Sequence, residues 1–270
     1  MVKKTFIADK NHKLSKLALI SVDGLSFSAL RRALRQKDVK VNGVRISDDV
    51  SLSVGDQVEI YCQEINIDKY NEIYRDENIL VINKKSGFTS EAVFELINQK
   101  YSTARFIHRL DRNTDGVMIF ALNLVAEKAL LDGFKNRTFD KKYHALVKGV
   151  PNKKQDVLTA YIVKDSDNSL VKIYDTPVKN SVKIKTGYKV IEINDDVSLL
   201  EVELYTGKTH QIRAHLAHIG HPIVGDGKYG DFAFNALKNE KTQKLTAVSL
   251  TLNFKTESPL YYLNGKKFTI

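Results

Sequence analysis

The sequence predicts an α+β protein with two domains of unequal size, and three observations indicate this fold class. The chain has 270 residues, which is enough for two hydrophobic cores. A short first segment has its own pattern of helix and strands. The longer remainder contains many strand-like segments with short turns and few crossover helices, which indicates a large mixed, mostly antiparallel sheet. We expect domains at residues 1–62 and 75–270, joined by a linker at 63–74.

Residues 1–62 predict a small α+β domain with a basic surface. The segment SFSALRRALRQKD places leucines on one helical face and Arg31 and Arg35, four residues apart, on another. The segment VKVNGVRI alternates around an Asn-Gly pair, which is a strong hairpin signal, and LSVGDQVEIY supplies a further strand. This domain carries eleven Lys or Arg against seven Asp or Glu.

From residue 75 onward, β-branched strands are interrupted by a few helices. TSEAVFELINQKY and NLVAEKALLDGFKNR have helical periodicity, and Asn123 is expected to cap the second helix. A third helix, capped by Thr206 or Thr209, is expected to end at Ile219. The strand-like segments are ENILVINKKSG, GVMIFAL, KYHALVKGV, VLTAYIVK, VKIKTGYKVIEI, SLLEVELYT, LTAVSLTLNF and KFTI.

The composition favours a polyanionic partner. The chain has 42 Lys and Arg against 32 Asp and Glu, a net charge of +10, which suits nucleic acid or a membrane surface, although a solvated lysine-rich surface would give the same count. Cys62 is the only cysteine, which excludes an internal disulfide and a cysteine-based zinc site. The apolar runs are too short to span a bilayer. We therefore expect a cytoplasmic protein with no membrane partner.

The stretch HRLDRNTDGV, residues 108–117, is the first candidate site. It lies directly before the buried-looking strand GVMIFAL, so Asp111 is expected at the rim of a core. Functional groups are often presented from loops and strand ends at such positions. A turn in which the Asp side chain accepts backbone hydrogen bonds is the structural alternative. Spacing alone leaves both interpretations open.

The stretch YTGKTHQIRAHLAHIGHPIVGDGKYG, residues 205–230, is the second. Arg213 lies in the first turns of the predicted helix, near the positive end of its dipole, where a phosphate or a carboxylate could be held. The histidines of this stretch are His210, His215, His218 and His221. Their spacing matches no common pattern of metal ligands. We expect no metal, and helix-face hydrogen bonds or RNA contacts for these histidines.

The strand DKKYHALVKG, residues 140–149, is the third. Alternation places Tyr143, Ala145 and Val147 on one face. Tyr143 is either a core aromatic with a hydrated hydroxyl or a ring that stacks on a flipped base.

Taken together and in this order, behind ENILVINKKSG, the three stretches resemble the motifs of RNA pseudouridine synthases of the RluA type, over about residues 74–230. Residues 12–62 resemble the alpha-L RNA-binding module, which is named after a ribosomal small-subunit protein. In that module, basic side chains of the helix would lie along RNA phosphates. The corresponding residues here are Arg31, Arg32 and Arg35.

The resemblance implies an isomerase that flips specific uridines out of structured RNA and converts them to pseudouridine, without cofactor or metal. Asp111 would be the catalytic aspartate, Tyr143 would stack on the uracil, and Arg213 would pair with the aspartate and keep it ionised. The other residues expected to contact substrate or RNA are Arg109, His108, Arg112, Ile212 and His210.

The resemblance favours ribosomal RNA as the partner, with transfer RNA as a second possibility, and a monomeric enzyme. Two alternatives are a non-catalytic RNA-binding or ribosome-assembly factor on the same scaffold, and a metal-dependent phosphodiesterase built on the histidines. The chain departs from the family pattern at Lys85, where proline is usual, and at Asp115, where serine is common. The segment QKLTAVSLTLNF also lacks the usual histidine and aromatic-basic pair of the last motif.

Overall fold

The computed structural model divides the chain into two compact units, Met1–Asp68 and Lys69–Ile270. The residues that it describes are 2–22, 25, 27–62, 69–165 and 170–270.

The first unit is a small α+β domain built on a four-stranded antiparallel sheet. Its elements are β1 (Val2–Ile7), β2 (His12–Lys13), α1 (Leu14–Ser21), α2 (Phe27–Arg35), β3 (Val39–Val41), β4 (Val44–Ile46), β5 (Ser51–Leu52) and β6 (Gln57–Cys62). The strand order is β1-β6-β3-β4, and β2 pairs with β5. The hairpin between β3 and β4 turns at Asn42 and Gly43, both with positive φ, as a two-residue hairpin requires.

Helix α2 is amphipathic, as its periodicity predicts. Leu30 and Leu34 are buried in the core of the first unit. The exposed basic side chains of this helix are Arg31, Arg32 and Arg35. The guanidinium of Arg31 lies 4.9 Å from the ring centroid of Phe27, so an aromatic surface supports part of the basic face.

The second unit contains an 11-stranded sheet and four α-helices among its described residues. Its first elements are β7 (Tyr70–Arg75), β8 (Ile79–Lys84), α3 (Ser90–Lys100), β9 (Arg105–Phe106), β10 (Asp115–Ala121), α4 (Leu124–Asn136) and β11 (Asp140–Lys148). There follow β12 (Gln155–Asp165), β13 (Leu170–Tyr174), β14 (Val182–Asn194), β15 (Val197–Leu204), α5 (Gln211–His218), α6 (Phe232–Leu237), β16 (Leu245–Thr251), a 3-10 turn (Tyr261–Leu263) and β17 (Lys267–Thr269).

The strand order of this sheet is β13-β12-β14-β15-β11-β16-β10-β8-β7, with β17 beside β16 and β9 beside β10. Among the described strands, only the pairing of β10 with β16 is parallel. The predicted α+β class with a large mixed, mostly antiparallel sheet is therefore confirmed.

Both faces of the sheet are covered near its centre. In β8, Leu80 and Ile82 pack with side chains of α3 and α5, whereas Ile79 and Val81 pack with those of α4 and the C-terminal segment. A strand buried on both faces has no polar alternation, which explains the continuous apolar run ILVI. None of the helices in the described part of the chain has the length and hydrophobicity needed to span a bilayer.

Residues 70–74 belong to the sheet and are not part of a linker. They form most of the edge strand β7, which pairs with β8, while residues 63–68 lie outside the described residues. Tyr70 packs against the cluster on one face of the sheet, and Ile73 and Tyr74 pack against the cluster on the other. Because an edge strand is largely exposed, its few apolar residues are scattered among polar ones and resemble a linker in sequence.

The cap of α4 was predicted correctly, whereas that of α5 was not. The side chain of Asn123 accepts the backbone N–H of Ala126 at 2.8 Å. Helix α5 is preceded by His210 in the left-handed conformation (φ 54°), with no side-chain cap. The Thr206 hydroxyl instead donates to Oε1 of Gln211, which also accepts the backbone N–H of Lys208. Gln211 thus closes the loop before the helix that a threonine was expected to cap.

Ala247 of β16 joins the parts of the sheet that carry the first and third sequence motifs. It pairs with Gly116 of β10 on one side and with Tyr143 of β11 on the other. A Cβ atom on Gly116, whose φ is +118°, would lie 2.2 Å from the carbonyl oxygen of Ala247. Glycine therefore allows this close approach. The loop carrying Asp111, just before β10, is held near Tyr143 as a result.

Candidate active site

A cavity of about 480 Å³ opens where the loop before β10, strand β11 and the β15–α5 loop meet. All residues that line it belong to the second unit. Those that the sequence singled out are Asp111, Tyr143, Arg213, Arg109, His108, Ile212 and His210. The three sequence motifs, which are far apart along the chain, therefore meet in one cavity.

Arg213 bridges two carboxylates at the base of this cavity. Its Nη1 donates to Oδ2 of Asp111 at 2.8 Å, while Nε and Nη2 donate to the two oxygens of Asp226 at 2.7 and 2.9 Å. Asp226 is completely buried and also accepts the backbone N–H groups of Lys228 and Tyr229. A bidentate arginine–carboxylate pair has a fixed geometry, so Asp226 determines where Arg213 meets Asp111.

The charges of this triad support one another. Burial acts to lower the pKa of Arg213, but the hydrogen bonds and charges of Asp226 and Asp111 outweigh it and raise the pKa further. Burial likewise acts to raise the pKa of Asp226, and Arg213 outweighs it, so the pKa of this carboxyl is lowered. Arg213 and Asp226 therefore keep their charges at neutral pH, and Asp111 faces a permanent cation.

Tyr143 lies on the wall of the cavity next to Asp111. Its side chain is on the buried face of β11, as the alternation predicts, with 8% of the residue exposed. Burial, and secondly the negative charge of Asp111, raises the pKa of its hydroxyl. The phenol is therefore protonated in the free protein and presents a flat apolar ring to the cavity.

His210 lies between Asp111 and the half-buried Tyr229. Its Nε2 is 3.9 Å from Oδ2 of Asp111, and its Nδ1 is 3.0 Å from the hydroxyl oxygen of Tyr229. That oxygen accepts the backbone N–H of Val171, which leaves the phenolic proton for Nδ1 and favours the tautomer with a proton on Nε2. Burial lowers the pKa of His210, although Asp111 acts in the opposite direction. The ring therefore presents a neutral N–H toward Asp111.

His108 and Ile212 line the cavity as structural groups. Nε2 of His108 accepts the backbone N–H of Ile119, and the ring stacks on Phe134 with 4.6 Å between centroids. Burial, and to a smaller extent Lys141, lowers the pKa of His108 to about 3, so this histidine is neutral. Ile212 is 4% exposed and packs in the core.

The two arginines beside Asp111 behave differently. Arg109 lines the cavity, and its exposed guanidinium lies 3.2 Å from the carboxylate of Glu91. Arg112 is exposed, is not among the residues that line the cavity, and donates through Nε to the carbonyl of Gly87. Arg112 therefore ties the loop of Asp111 to the turn after β8, whereas Arg109 faces the cavity.

Lys84 holds the loop that carries Asp111 from the buried side. Its side chain is completely buried, and Nζ donates to the carbonyls of Lys85, Phe88 and Arg112 at 2.8–3.2 Å. Burial lowers its pKa to about 8, against the opposing effect of Asp115 and Asp111. The ammonium is therefore largely charged at neutral pH and ties the turn after β8 to the residue following Asp111.

The four histidines of the second motif contact different partners. His210 contacts Tyr229, His215 contacts the hydroxyl of Thr186, His218 contacts Asp175, and His221 contacts the carbonyl of Lys148. No three His, Cys, Asp or Glu side chains of the described residues form a group that could hold a metal ion. The histidines therefore offer no joint ligand set to a phosphodiesterase metal.

Arg31, Arg32 and Arg35 are exposed on α2 of the first unit, where Arg31 and Arg35 line a separate groove.

In the second unit, the sequence analysis did not identify three groups that matter to the site. They are Asp226, Lys84 and the basic side chains that line the cavity around Lys141. Asp226 stands between two glycines, and φ at Gly225 is +74° with the carbonyl of Thr242 close by. A carboxylate inside such a constrained turn is the signal that could have identified it.

Comparison with known proteins decides the family. The model of the RNA pseudouridylate synthase family matches residues 78–218, the segment that carries Asp111, Tyr143 and Arg213. The chain belongs to this family. It is an RNA pseudouridine synthase of the RluA type, an isomerase that converts uridine in RNA to pseudouridine.

Relatives and solved structures agree with this assignment. The synthase is 32% identical over 235 residues to the ribosomal large subunit pseudouridine synthase C of Vibrio vulnificus, covering 77% of this chain and 73% of that protein. It is 30% identical over 238 residues to the uncharacterized RNA pseudouridine synthase YhcT of Bacillus subtilis, covering 76% and 78%. The structure of human RNA pseudouridylate synthase domain containing 1 superposes with a TM-score of 0.63 at 28% identity, covering 70% of this chain and 80% of that one.

Replacing Asp226 with Asn should impair the synthase through Arg213. The neutral amide can no longer make two charge-assisted hydrogen bonds, so Arg213 loses its fixed direction toward Asp111. Since such bonds contribute about 1.5–3 kcal/mol, we expect kcat to fall by roughly 10- to 100-fold. Turnover of RNA under saturating conditions measures this. Asp196→Asn, which alters an exposed ion pair with Lys238, serves as the control. Equal kcat in the two variants would contradict the role of Asp226.

The buried His215 should make the second unit sensitive to acid. Burial, and secondly His218, lowers its pKa from 6.5 to about 4. Below pH 6.5 the unfolded chain binds a proton that the folded chain does not, so stability present above pH 6.5 is lost as the pH falls toward 4. The loss amounts to up to about 3 kcal/mol. Urea denaturation at pH 7.5 and 5.0 measures it. His215→Gln should reduce the difference, whereas His144→Gln, at a partly exposed position, should not.

Proposed function

We propose that Asp111 is the catalytic carboxylate of this synthase and that its substrate is a uridine of ribosomal RNA, flipped out of the RNA structure into the cavity. The names of several relatives refer to the large ribosomal subunit. Transfer RNA is the second candidate. We expect a monomer and a cytoplasmic location, the latter of which suits the free thiol of Cys62.

The observation that carries this proposal is the 2.8 Å pair of Asp111 and Arg213 inside a basic cavity. A carboxylate that works at a sugar carbon must remain ionised where water is excluded, and an adjacent guanidinium favours the ionised form. Among the described residues that line the cavity, Asp111 is the one acid, whereas six are Lys or Arg. A basic cavity with a single carboxylate suits a polyanionic substrate and a reaction at one atom.

In the proposed reaction, the carboxylate of Asp111 acts at C1′ of the flipped uridine while the bond between C1′ and N1 of uracil breaks. The detached uracil turns and forms a new bond from its C5 to C1′. The proton on C5 then leaves, and N1 gains one, so the product is an isomer of the substrate. Tyr143 stacks on the uracil during this rotation, and its flat ring on the cavity wall supports that role.

Tyr143 can also take part in the last proton transfer. In the free enzyme the charge of Asp111 contributes to the raised pKa of its hydroxyl. When Asp111 is bonded to the sugar or neutralised, that contribution disappears, so the hydroxyl ionises more readily and a phenolate can form that accepts a proton. Tyr143 would therefore be a stacking group early in the reaction and a proton-transfer group late in it.

Flipping a uridine costs a few kcal/mol of stacking and pairing energy, which phosphate contacts offset. Arg109, exposed at the cavity mouth and held only by an exposed ion pair with Glu91, is placed to fill or brace the gap that the flipped base leaves. A surface ion pair of this kind contributes little, so it can be exchanged for RNA phosphate.

Replacing Asp111 with Asn should abolish modification while preserving the cavity. The amide cannot act at C1′ and carries no charge for Arg213. Pseudouridine mapping of total RNA, by chemical labelling that stops reverse transcription, compares cells with the wild-type gene, a deletion, Asp111→Asn, and Asp175→Asn as a control at an exposed carboxylate. We expect the same uridines to lose the mark in the deletion and in Asp111→Asn. Persistence of every mark in all strains would favour a non-catalytic RNA-binding factor.

We further infer that residues 1–62 are an alpha-L type RNA-binding domain that adds affinity without choosing the uridine. Its support is a hydrophobic core of its own and the exposed arginines of α2.

Deleting residues 1–62 should weaken RNA binding by roughly tenfold or more through the loss of phosphate contacts, and the modified uridine should stay the same. Electrophoretic mobility shift and pseudouridine mapping with the same RNA measure the two effects. A truncated enzyme that modifies a different uridine would refute the inference.

A further inference from the structure

One wall of the active-site cavity is built from four basic residues that the reaction at Asp111 does not use. They come from the end of α4, the turn after it, the start of β11 and the β15–α5 loop. These residues are Lys135, Arg137, Lys141 and Lys208. The fold brings them to one cavity, because they come from separate parts of the chain.

These four side chains lack the acidic partners that Lys142, Lys148 and Lys172 of the same sheet have. Within the described part of the chain, none of the ion pairs involves any of them. The next residue of β11, Lys142, points to the other side of the strand and lies 2.8 Å from the carboxylate of Glu201. Lys148 is likewise paired with Asp231. Unpaired cations that face one another in a cavity repel, and an anionic ligand would relieve that repulsion.

The backbone of Arg137 and the side chain of Lys141 have defined contacts before any ligand binds. Arg137 ends α4 in the left-handed conformation (φ 58°), with its backbone N–H donated to the carbonyls of Gly133 and Phe134. Nζ of Lys141 lies 5.4 Å from the ring centroid of Phe134, which stacks on the neutral His108. Burial and the nearby Arg137 lower the pKa of Lys141. The wall is a fixed aromatic surface with two adjoining cations.

Arg213, another strong cation of the cavity, is already bound by two carboxylates. Its Nε, Nη1 and Nη2 all donate to carboxylates. Gly207 of the β15–α5 loop lies beside Lys141, since a Cβ atom there would be in van der Waals contact with Nζ at 3.8 Å. The free positive charge of the cavity is therefore concentrated on the wall with Lys141.

We propose that Arg137 and Lys141 bind the phosphodiester group next to the flipped uridine, with Lys135 and Lys208 at the rim of the same subsite. This inference rests on the proposed function, because it takes the uridine to lie between Tyr143 and Asp111. The planar guanidinium of Arg137 supplies several N–H donors, and the ammonium of Lys141 supplies a compact positive charge. Together these two groups suit one phosphate. Holding that phosphate would place C1′ of the uridine at Asp111 and anchor the backbone while the base turns.

The test measures how RNA binding depends on salt, with the full chain carrying Asp111→Asn so that no turnover occurs. The probe is a fluorescent oligouridylate of about twelve nucleotides, a length in the usual range of single-strand sites. Each lost contact to a single-strand phosphate should lower the slope of log K against log salt concentration by about 0.7. We expect this reduction, with about tenfold weaker binding, for Lys141→Gln and for Arg137→Gln.

Lys142→Gln is the matched control, since it removes the same charge from the adjacent residue of the same strand, and its slope should stay at the unsubstituted value. Lys141→Arg keeps the charge and should retain the slope, which separates a contact from a folding defect. Acetylation of lysines followed by mass spectrometry should show Lys141, but not Lys142, protected by the oligonucleotide. Equal slopes for Lys141→Gln and Lys142→Gln, or no change in either, would overturn the proposal.

The outcome is independent of the mapping experiment on Asp111. If Asp111→Asn leaves every pseudouridine in place while Lys141→Gln lowers the slope, the phosphate subsite stands and the catalytic assignment fails. If the marks disappear in Asp111→Asn but the slope does not respond to Lys141→Gln, the catalytic assignment stands and the subsite does not.

Discussion

Arg213 binds Asp226 through Nε and Nη2 and Asp111 through Nη1, so a single guanidinium fixes two carboxylates that are more than a hundred residues apart in sequence. A buried cation needs such partners, since an uncompensated charge would be expelled from the core. The backbone N–H groups of Lys228 and Tyr229 fix the carboxylate of Asp226 within its own turn. Tyr143, His210 and the open cavity are arranged around this fixed point, and the remaining positive charge is free to face RNA.

Elements with local signals were predictable from the sequence. Helix α4 follows from its period and from Asn123, and β8 from its apolar run. Strand β7 was mistaken for a linker, because an edge strand buries few side chains and shows little pattern. The cap of α5 was also missed. It depends on Gln211, a side chain inside the helix that reaches back to Thr206 and Lys208, and residue propensities at the helix start do not reveal such a contact.

The candidate site was predictable where motifs could be matched to a family, and only there. That route identified Asp111, Tyr143 and Arg213, which the structure places in one cavity. It could not identify Asp226 as the partner of Arg213, because the contact depends on a turn closed by glycine. Proximity in sequence also does not predict which side chains enter the cavity, since Arg112 follows Asp111 directly but donates to the carbonyl of Gly87. Lys84, some thirty residues earlier, holds the loop through the carbonyl of Arg112. Long-range packing decides these contacts, and the sequence pattern does not record it.

The position of β16 has a consequence for biosynthesis. This strand lies between β10 and β11, and Ala247 pairs with residues on both sides. During translation the early strands and the middle strands can each form hairpins, but they remain two separate half-sheets until residues 245–251 emerge and insert between them. The loop of Asp111 and the strand of Tyr143 belong to different halves. A nascent chain therefore has no assembled cavity, and it cannot modify RNA until this late strand is in place.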